Sequence, residues 1–397
     1  MKSITVLLVG QVRNQHVLMR SIENLVTLRN RGLVNQVILA TWAEERRKIE
    51  HLLPRLAAAG VTVVGADEPD AQWFVPGHLM HQMRGVDLAL ETVEDTAWVL
   101  RARPDLLIEV DMVASLAAAD MSLDPSCAGG ALAHKLWVPF VELCQPLCIS
   151  DITYFGCYAD IVKLQNFDFY HEVARTHLEM SPGAKPITSY DAEVRRYAPA
   201  FFDAYPVLYE YYRIYNRFFL GILEMRRSMI RTLHQEVFYW QYMAIYFDIL
   251  KKYFLIGQDT VKASVLLVRP QDFDQAVGLT GIDLTRCGYG GQVLAHDPDA
   301  AGTAELFAAA PVYCKTSNEV RAVASHLERI GVPLAQRLDE AMNYRKDATR
   351  IAALRTLQET LVGSIFGGVE WGRTKDPAWR QPFPMQIINL PRAGGAN

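Results

Sequence analysis

Four short apolar runs in the first hundred residues, separated by stretches of helical spacing, constrain this chain more than any other feature. Ile4–Val9 reads as a first strand, Val37–Ala40 as a second, Val61–Val64 as a third and Ala97–Leu100 as a fourth. Between them Val17, Leu18, Ile22, Leu25 and Leu28 recur at helical spacing. So do Ile49, Leu52, Leu53 and Leu56 before Gly60, and Leu79, Met83, Val86, Leu90 and Val93. Consecutive apolar residues fit strands covered on both faces, and the stripes fit helices that cover them. The alternation predicts βαβ units and an α/β fold with a parallel, Rossmann-type sheet. Crossovers of one hand then bring the strand ends, with Gln11, Arg13, Thr41 and Asp105, to one edge.

The most chemically informative stretch lies at that edge. Arg101-Ala102-Arg103-Pro104-Asp105 follows the fourth apolar run directly. Open α/β sheets bind ligands at the carboxyl ends of their strands. Arginine matches phosphate oxygens bidentately, and a neighbouring carboxylate can hold a hard cation against the same phosphates. The stretch therefore points to a nucleotide-diphosphate site. The alternative is a surface ion pair with Pro104 ending the strand.

Bulk properties narrow the partners. The 397 residues are 50% apolar and 21% charged, enough for one large domain or for two, with a substantial core. A net charge of −4, from 40 basic and 44 acidic side chains, gives no reason to expect a nucleic-acid partner. Cys127, Cys144, Cys148, Cys157, Cys287 and Cys314 show no zinc-ribbon spacing and read as buried thiols in a reducing compartment. The apolar run Ile4–Gly10 is short for a signal peptide and is broken by Gln11 and Arg13. Val237–Phe247, the longest uncharged aromatic stretch, falls well short of the roughly 20 residues of a spanning helix. A cytoplasmic protein is expected, with peripheral contact at the inner face of the membrane.

After Asp111 the pattern changes. Leu136–Ile149, interrupted by Pro139 and Pro146, reads as strands crossing the sheet edge, and residues 157–180 as a helix. Thr188-Ser189 is placed to cap a helix that begins Tyr190-Asp191-Ala192-Glu193. Residues 205–256 are dense in aromatic side chains interleaved with Arg213, Arg217, Arg226, Arg227 and Arg231. They form either a basic-aromatic surface for membrane or glycolipid, or an aromatic helical core with a solvated arginine face. Val261–Val268 reads as a strand, Thr316-Ser-Asn-Glu319 as a capping box opening a helix through Arg329, and Arg345–Val362 as a further helix.

Several chemistries are missing from the sequence. It has no GxxxxGK[ST] loop, no G-x-G-x-x-G after the first strand, no HExxH and no GxSxG. His78 and His81 lie three apart on a predicted helix, without a third metal ligand in view. An oxidoreductase acting on a nucleotide sugar is disfavoured by the missing glycine-rich loop.

Four segments in order resemble the WavE lipopolysaccharide-synthesis family: Val9–Arg13, Val37–Trp42, Val99–Leu106 and Ile149–Gly156. The resemblance covers roughly residues 4–200. It implies a GT-A-like glycosyltransferase acting in lipopolysaccharide or other surface-glycan assembly. A nucleotide-sugar would be the donor and a glycan or glycolipid the acceptor. The expected layout is a nucleotide-sugar-binding domain over 1–200, followed by a mainly helical, aromatic-rich region over 201–397. A typical family segment has Lys or Arg, Thr, Arg, Thr, Asp where this chain has Arg101-Ala102-Arg103-Pro104-Asp105; the charged positions survive. The Asp-x-Asp common in GT-A enzymes is absent, since Arg103 holds its first acidic position.

Glycosyl transfer requires stabilisation of the departing diphosphate and activation of the acceptor hydroxyl. Arg13, Arg101, Arg103 and Asp105 are assigned to the diphosphate, with Asp105 the ligand for a divalent cation, Mg²⁺ or Mn²⁺. Gln11 and Thr41 contact the nucleotide, or serve as turn and cap residues. Asp151, Asp191 and Glu193 are the candidates for the catalytic base; their alternative roles are helix capping and surface salt bridges. A non-catalytic sugar- or nucleotide-binding component of a glycan-assembly complex is the competing reading.

Overall fold

The computed structural model describes residues 2–66, 79–94, 97–127, 130–143, 147, 149, 153–165, 198–208, 237–259, 266–267, 313–314, 316–329 and 331–343. The alternating pattern becomes β1 (Ile4–Val9), α1 (Gln15–Asn30), β2 (Val34–Trp42), α2 (Ala43–Lys48), α3 (Leu53–Ala58), β3 (Val61–Ala66), α4 (Leu79–Glu91) and β4 (Trp98–Ala102). The single helix expected around Ile49–Leu56 is divided. Pro54 cannot donate a backbone hydrogen bond, and a 3-10 turn over Glu50–Leu52 joins α2 to α3. After β4 come β5 (Leu106–Leu107), α5 (Val110–Ala118), β6 (Leu136–Val138), β7 (Val141–Glu142), β8 (Thr153–Cys157) and α6 (Tyr158–Leu164). The remaining elements are α7 (Ala198–Phe201), α8 (Val237–Tyr253), β9 (Phe254–Ile256), β10 (Leu266–Leu267), β11 (Tyr313–Cys314), α9 (Ser317–Arg329) and α10 (Leu334–Met342).

Seven strands form one sheet in the order β3-β2-β1-β4-β8-β6-β9. The first four run parallel, β8 runs antiparallel to both β4 and β6, and β9 is parallel to β6. The fold is α/β and Rossmann-like, as the alternation predicts. Strand succession moves outward from β1 through β2 to β3, then returns to place β4 on the other side of β1. The β1–β4 boundary is therefore a switch point of the kind where doubly wound sheets open a crevice.

Side chains alternate across the sheet and build a core on each face. Leu7, Val9, Ile38, Ala40 and Val99 pack with Met83 and Val86 of α4 and, further along, with α6 and α8. Ile4, Val6, Leu8, Val37, Leu39 and Leu100 pack on the other face with α1, α3 and α5. Val17, Leu18, Ile22, Leu25 and Leu28 of α1 are all buried. Full burial contributes about 1.5–3 kcal/mol for each such side chain, so this face alone fixes the helix against the sheet. Asn14 caps α1, its side-chain oxygen accepting from the amides of His16 and Val17.

The sheet draws on both sides of residue 200, since β9 extends its far edge. Short strands from the C-terminal part also pair with short strands of the N-terminal part, β10 with β5 and β11 with β7. Of the aromatic stretch, Tyr205, Tyr242, Tyr246, Phe247, Tyr253 and Phe254 are buried in the same core as β1 and α4. For these residues the aromatic-core alternative holds; the interleaved arginines lie outside the described residues. The capping box forms as expected. The Thr316 amide donates to Glu319 Oε2 at 3.2 Å, and the Glu319 amide donates to Thr316 Oγ1 at 3.1 Å.

Candidate functional site

The loops after β1 and β4 meet at the switch point. Gly10 takes φ +126°, a conformation open to glycine and rarely to other residues. Its amide donates to the Ala40 carbonyl of β2 at 3.1 Å. A Cβ built on Gly10 would lie 3.8 Å from Pro104 Cδ, so the two loops are in van der Waals reach. This places Gln11 and Arg13 beside Arg103 and Asp105.

Arg103 and Asp105 form a bidentate pair, Nε to Oδ1 at 2.9 Å and Nη2 to Oδ2 at 2.7 Å. Arg13 Nη1 approaches the same carboxylate, 3.7 Å from Oδ2, and its Nε donates to Gln11 Oε1 at 3.4 Å. Asp105 is buried with its side chain 6% exposed, Arg103 is largely covered at 18%, and Arg13 is open to water at 52%. Two guanidinium groups thus converge on one buried acid. The outer one is exposed and the inner one is held in orientation by two hydrogen bonds.

The turn bearing Asp105 is fastened from behind. Its backbone closes with Leu106 N–H donating to the Arg103 carbonyl at 3.1 Å. Ser21 of α1, fully buried, donates through Oγ to the Leu106 carbonyl at 3.0 Å and accepts from the Ile108 amide at 3.1 Å. Asn24 adds a bond from Nδ2 to the Ile108 carbonyl at 2.8 Å. Sequence reading overlooked Ser21 and Asn24. The signal was present, because Ser21 falls on the buried stripe with Val17, Leu18 and Leu25, where a polar side chain needs a partner.

Arg101 sits elsewhere. The fourth strand runs two residues beyond the expected Leu100, and Arg101 pairs in register with Leu7 on one side and Tyr154 on the other. The ladder continues because Thr153 and Tyr154 of β8 extend the pairing past the apolar run; Thr153 Oγ1 also donates to the Arg101 carbonyl at 2.7 Å. The Arg101 guanidinium is fully buried on the α4 side, 5.7 Å from the Tyr154 ring centre and 3.4 Å from Gln82 Oε1. It is Arg103, the first residue past the strand, that reaches the edge. Thr41 is the last residue but one of β2, at the same edge, and is 4% exposed; its Oγ1 finds no hydrogen-bond partner among the described residues.

Asp151, Asp191, Glu193 and His78 lie outside the described residues. As a cation site, the described donors fit poorly. Asp105 is a single carboxylate whose two oxygens both accept from Arg103, and no cluster of three metal-ligating side chains forms around it among the described residues. The arrangement suits an anion instead. A phosphate can take over a guanidinium fork that now grips a carboxylate, because both groups present paired oxygens.

No family model matches this chain, and no curated protein matches it. Two solved structures of glucosyl-3-phosphoglycerate synthase from Mycobacterium tuberculosis are similar to it. One holds Mn²⁺, uridine diphosphate and glucosyl-3-phosphoglycerate, and the other Mn²⁺, uridine diphosphate and phosphoglyceric acid. Their identities to this chain are 14% and 15%, with TM-scores of 0.28 and 0.29. Each alignment covers 51% of this chain, and 66% and 65% of the respective structures. The chain thus spans just under two thirds of their length, and overlap at this level transfers neither their reaction nor their ligands. Among the described residues, no helix is long and apolar enough to cross a membrane.

Proposed function

We propose that this chain is a glycosyltransferase that takes a sugar from a nucleotide-sugar donor. One observation carries the proposal: Arg13 and Arg103 converge at the β1–β4 switch point, on loops fastened to α1, where a leaving diphosphate would lie. In the reaction, the bond between the anomeric carbon and the diphosphate oxygen breaks and that oxygen keeps the electron pair. The acceptor hydroxyl bonds to the anomeric carbon and gives up its proton to a base. Charge builds on the departing diphosphate, and fixed guanidinium groups in a partly buried site favour that charge in the transition state. Arg103 supplies the fork once the diphosphate takes over its contacts with Asp105, and Arg13 supplies a second, more exposed cation. Gln11 and Thr41, at the ends of β1 and β2, border the space for the nucleoside. Asp191, Asp151 or Glu193 would serve as the base.

The acceptor belongs to the same proposal. The four-segment resemblance supports a lipopolysaccharide or other surface-glycan acceptor, a cytoplasmic location and contact with the inner face of the membrane. The proposed layout keeps donor binding in residues 1–200 and leaves 201–397 to acceptor binding or a structural role. The test is incubation with a panel of nucleotide sugars, with and without glycan acceptors, while released nucleoside diphosphate is measured. Release that depends on Arg103 supports the transferase. Binding of donors without any release supports the non-catalytic module instead.

A further inference from the structure

We infer that the opposite edge of the sheet carries a binding site for a zinc-like divalent ion, formed by His134, Cys157 and Asp160. The ligand atoms of these three side chains all lie within 4.8 Å of one another. They converge from two segments. Cys157 ends β8 and Asp160 follows three residues on, in the first turn of α6, while His134 precedes β6 on a loop bridged at Ser122. The sequence conceals the grouping, since 22 residues separate His134 from its nearest partner, Cys157.

The His134–Asp160 separation is compatible with coordination. His134 Nδ1 lies 3.3 Å from Asp160 Oδ2. A charge-assisted hydrogen bond between such groups is shorter, about 2.7–2.9 Å. Two ligand atoms bound to one tetrahedral zinc at about 2.0 Å stand roughly 3.3 Å apart. The carboxylate is preorganised for such a role. Asp160 is fully buried, with Oδ1 accepting from the Ala133 amide at 2.8 Å and Oδ2 from the His134 amide at 2.9 Å. The Trp98 ring meets His134 edge-on at 5.2 Å and limits the rotation of the imidazole. Imidazole, thiolate and carboxylate together suit zinc, with water as the fourth ligand of a tetrahedral site. On binding, the Cys157 thiol releases its proton to solvent. The ion would pin the 130–135 loop to the β8–α6 corner.

This site stands apart from the proposed donor site. Trp98, paired in register with Cys157, opens β4, whereas Arg103 follows its other end, roughly 16 Å along the strand. The test therefore uses metal binding rather than transfer. The full chain, reduced and stripped of metal, is titrated with Zn²⁺ against a chromophoric chelator, and with Co²⁺ by absorption. One Zn²⁺ bound per chain and a thiolate-to-cobalt charge-transfer band are expected. Cys157→Ser should abolish the band, and His134→Gln should weaken Zn²⁺ binding at least tenfold with the circular dichroism unchanged. Failure to bind a stoichiometric ion overturns the inference. So does a cobalt spectrum without the sulfur band, or unchanged affinity in both variants.

Discussion

Arg103 grips Asp105 through two parallel hydrogen bonds, 2.9 Å from Nε to Oδ1 and 2.7 Å from Nη2 to Oδ2. The pair fixes both the charge and the plane of the guanidinium at the edge of the sheet. Lysine supplies the charge without the plane. Each hydrogen bond to a charged group is worth about 1.5–3 kcal/mol, and 1.4 kcal/mol is tenfold in affinity. Arg103→Lys should therefore weaken binding of a nucleoside diphosphate about tenfold, and Arg103→Ala about a hundredfold, by calorimetry with UDP and GDP. A lysine variant that binds as tightly as the parent would show that the fork does not touch the ligand.

The engaged state of Asp105 has its own consequence. With both oxygens accepting from Arg103 and no group of three metal-ligating side chains around it among the described residues, an incoming anion should be held by arginine. Chelation with EDTA should then change nucleoside-diphosphate affinity by no more than about threefold. A loss of tenfold or more after chelation, restored by Mg²⁺ or Mn²⁺, would assign the charge to a metal instead.

Ser21 links α1 to the turn that carries Asp105, donating to Leu106 O and accepting from Ile108 N. Ser21→Ala removes both partners and leaves two backbone groups unsatisfied in the interior. The expected cost is about 1–3 kcal/mol of stability, read by urea denaturation. Nucleoside-diphosphate affinity should fall as well, because the turn loses its anchor. Ser115→Ala on the outer side of α5 provides a comparison, since among the described residues that hydroxyl bonds within its own helix, to the Asp111 carbonyl.

The strands and helices before residue 110 were legible because their signal is periodic and local. The β1 run is buried along its whole length, and α1 buries the stripe its spacing announces. The meeting of Gln11, Arg13, Arg103 and Asp105 was also legible, because parallel connections deliver strand ends to one edge. What escaped depends on pairing across the sheet. The register of β8 against β4 draws Arg101 into the ladder and buries it, and no spacing within residues 97–105 encodes that partner. The same holds for His134 and Asp160, brought together by an antiparallel excursion, and for β9, added to the sheet from beyond residue 250.

Alkaline pH should destabilise the fold. Burial, with the nearby Glu319 charge, pushes the Cys314 thiol from 9.0 up to about 12. Burial followed by the Asp248 carboxylate also raises Tyr205, whose hydroxyl donates to Asp248 at 2.6 Å. Both groups stay neutral in the fold and ionise once unfolded. Their contribution is complete below about pH 9 and is lost as pH rises towards 12, by up to about 1.4 kcal/mol per pH unit for each group. Urea midpoints at about pH 8, 9.5 and 11 should fall in that order. Cys314→Ala should flatten the first part of the decline; an unchanged slope in that variant would remove the thiol from the account.

Gly10 and Gly32 allow backbone strain to be separated from site geometry. Both hold positive φ, +126° and +71°. A methyl group at Gly32 would meet nothing within 4 Å, and one at Gly10 would meet only Pro104 Cδ at the ordinary distance of 3.8 Å. Neither substitution is blocked by space, so each costs mainly the strained conformation, of order 1–3 kcal/mol. Gly32 lies in the α1–β2 turn, at the far end of the helix from the candidate site. Gly10 carries the loop that presents Gln11 and Arg13, and its amide ties that loop to Ala40. Both alanine variants should therefore lower the melting temperature, but only Gly10→Ala should also weaken nucleoside-diphosphate binding. Equal affinities in the two variants would place the ligand away from the β1–β4 crevice.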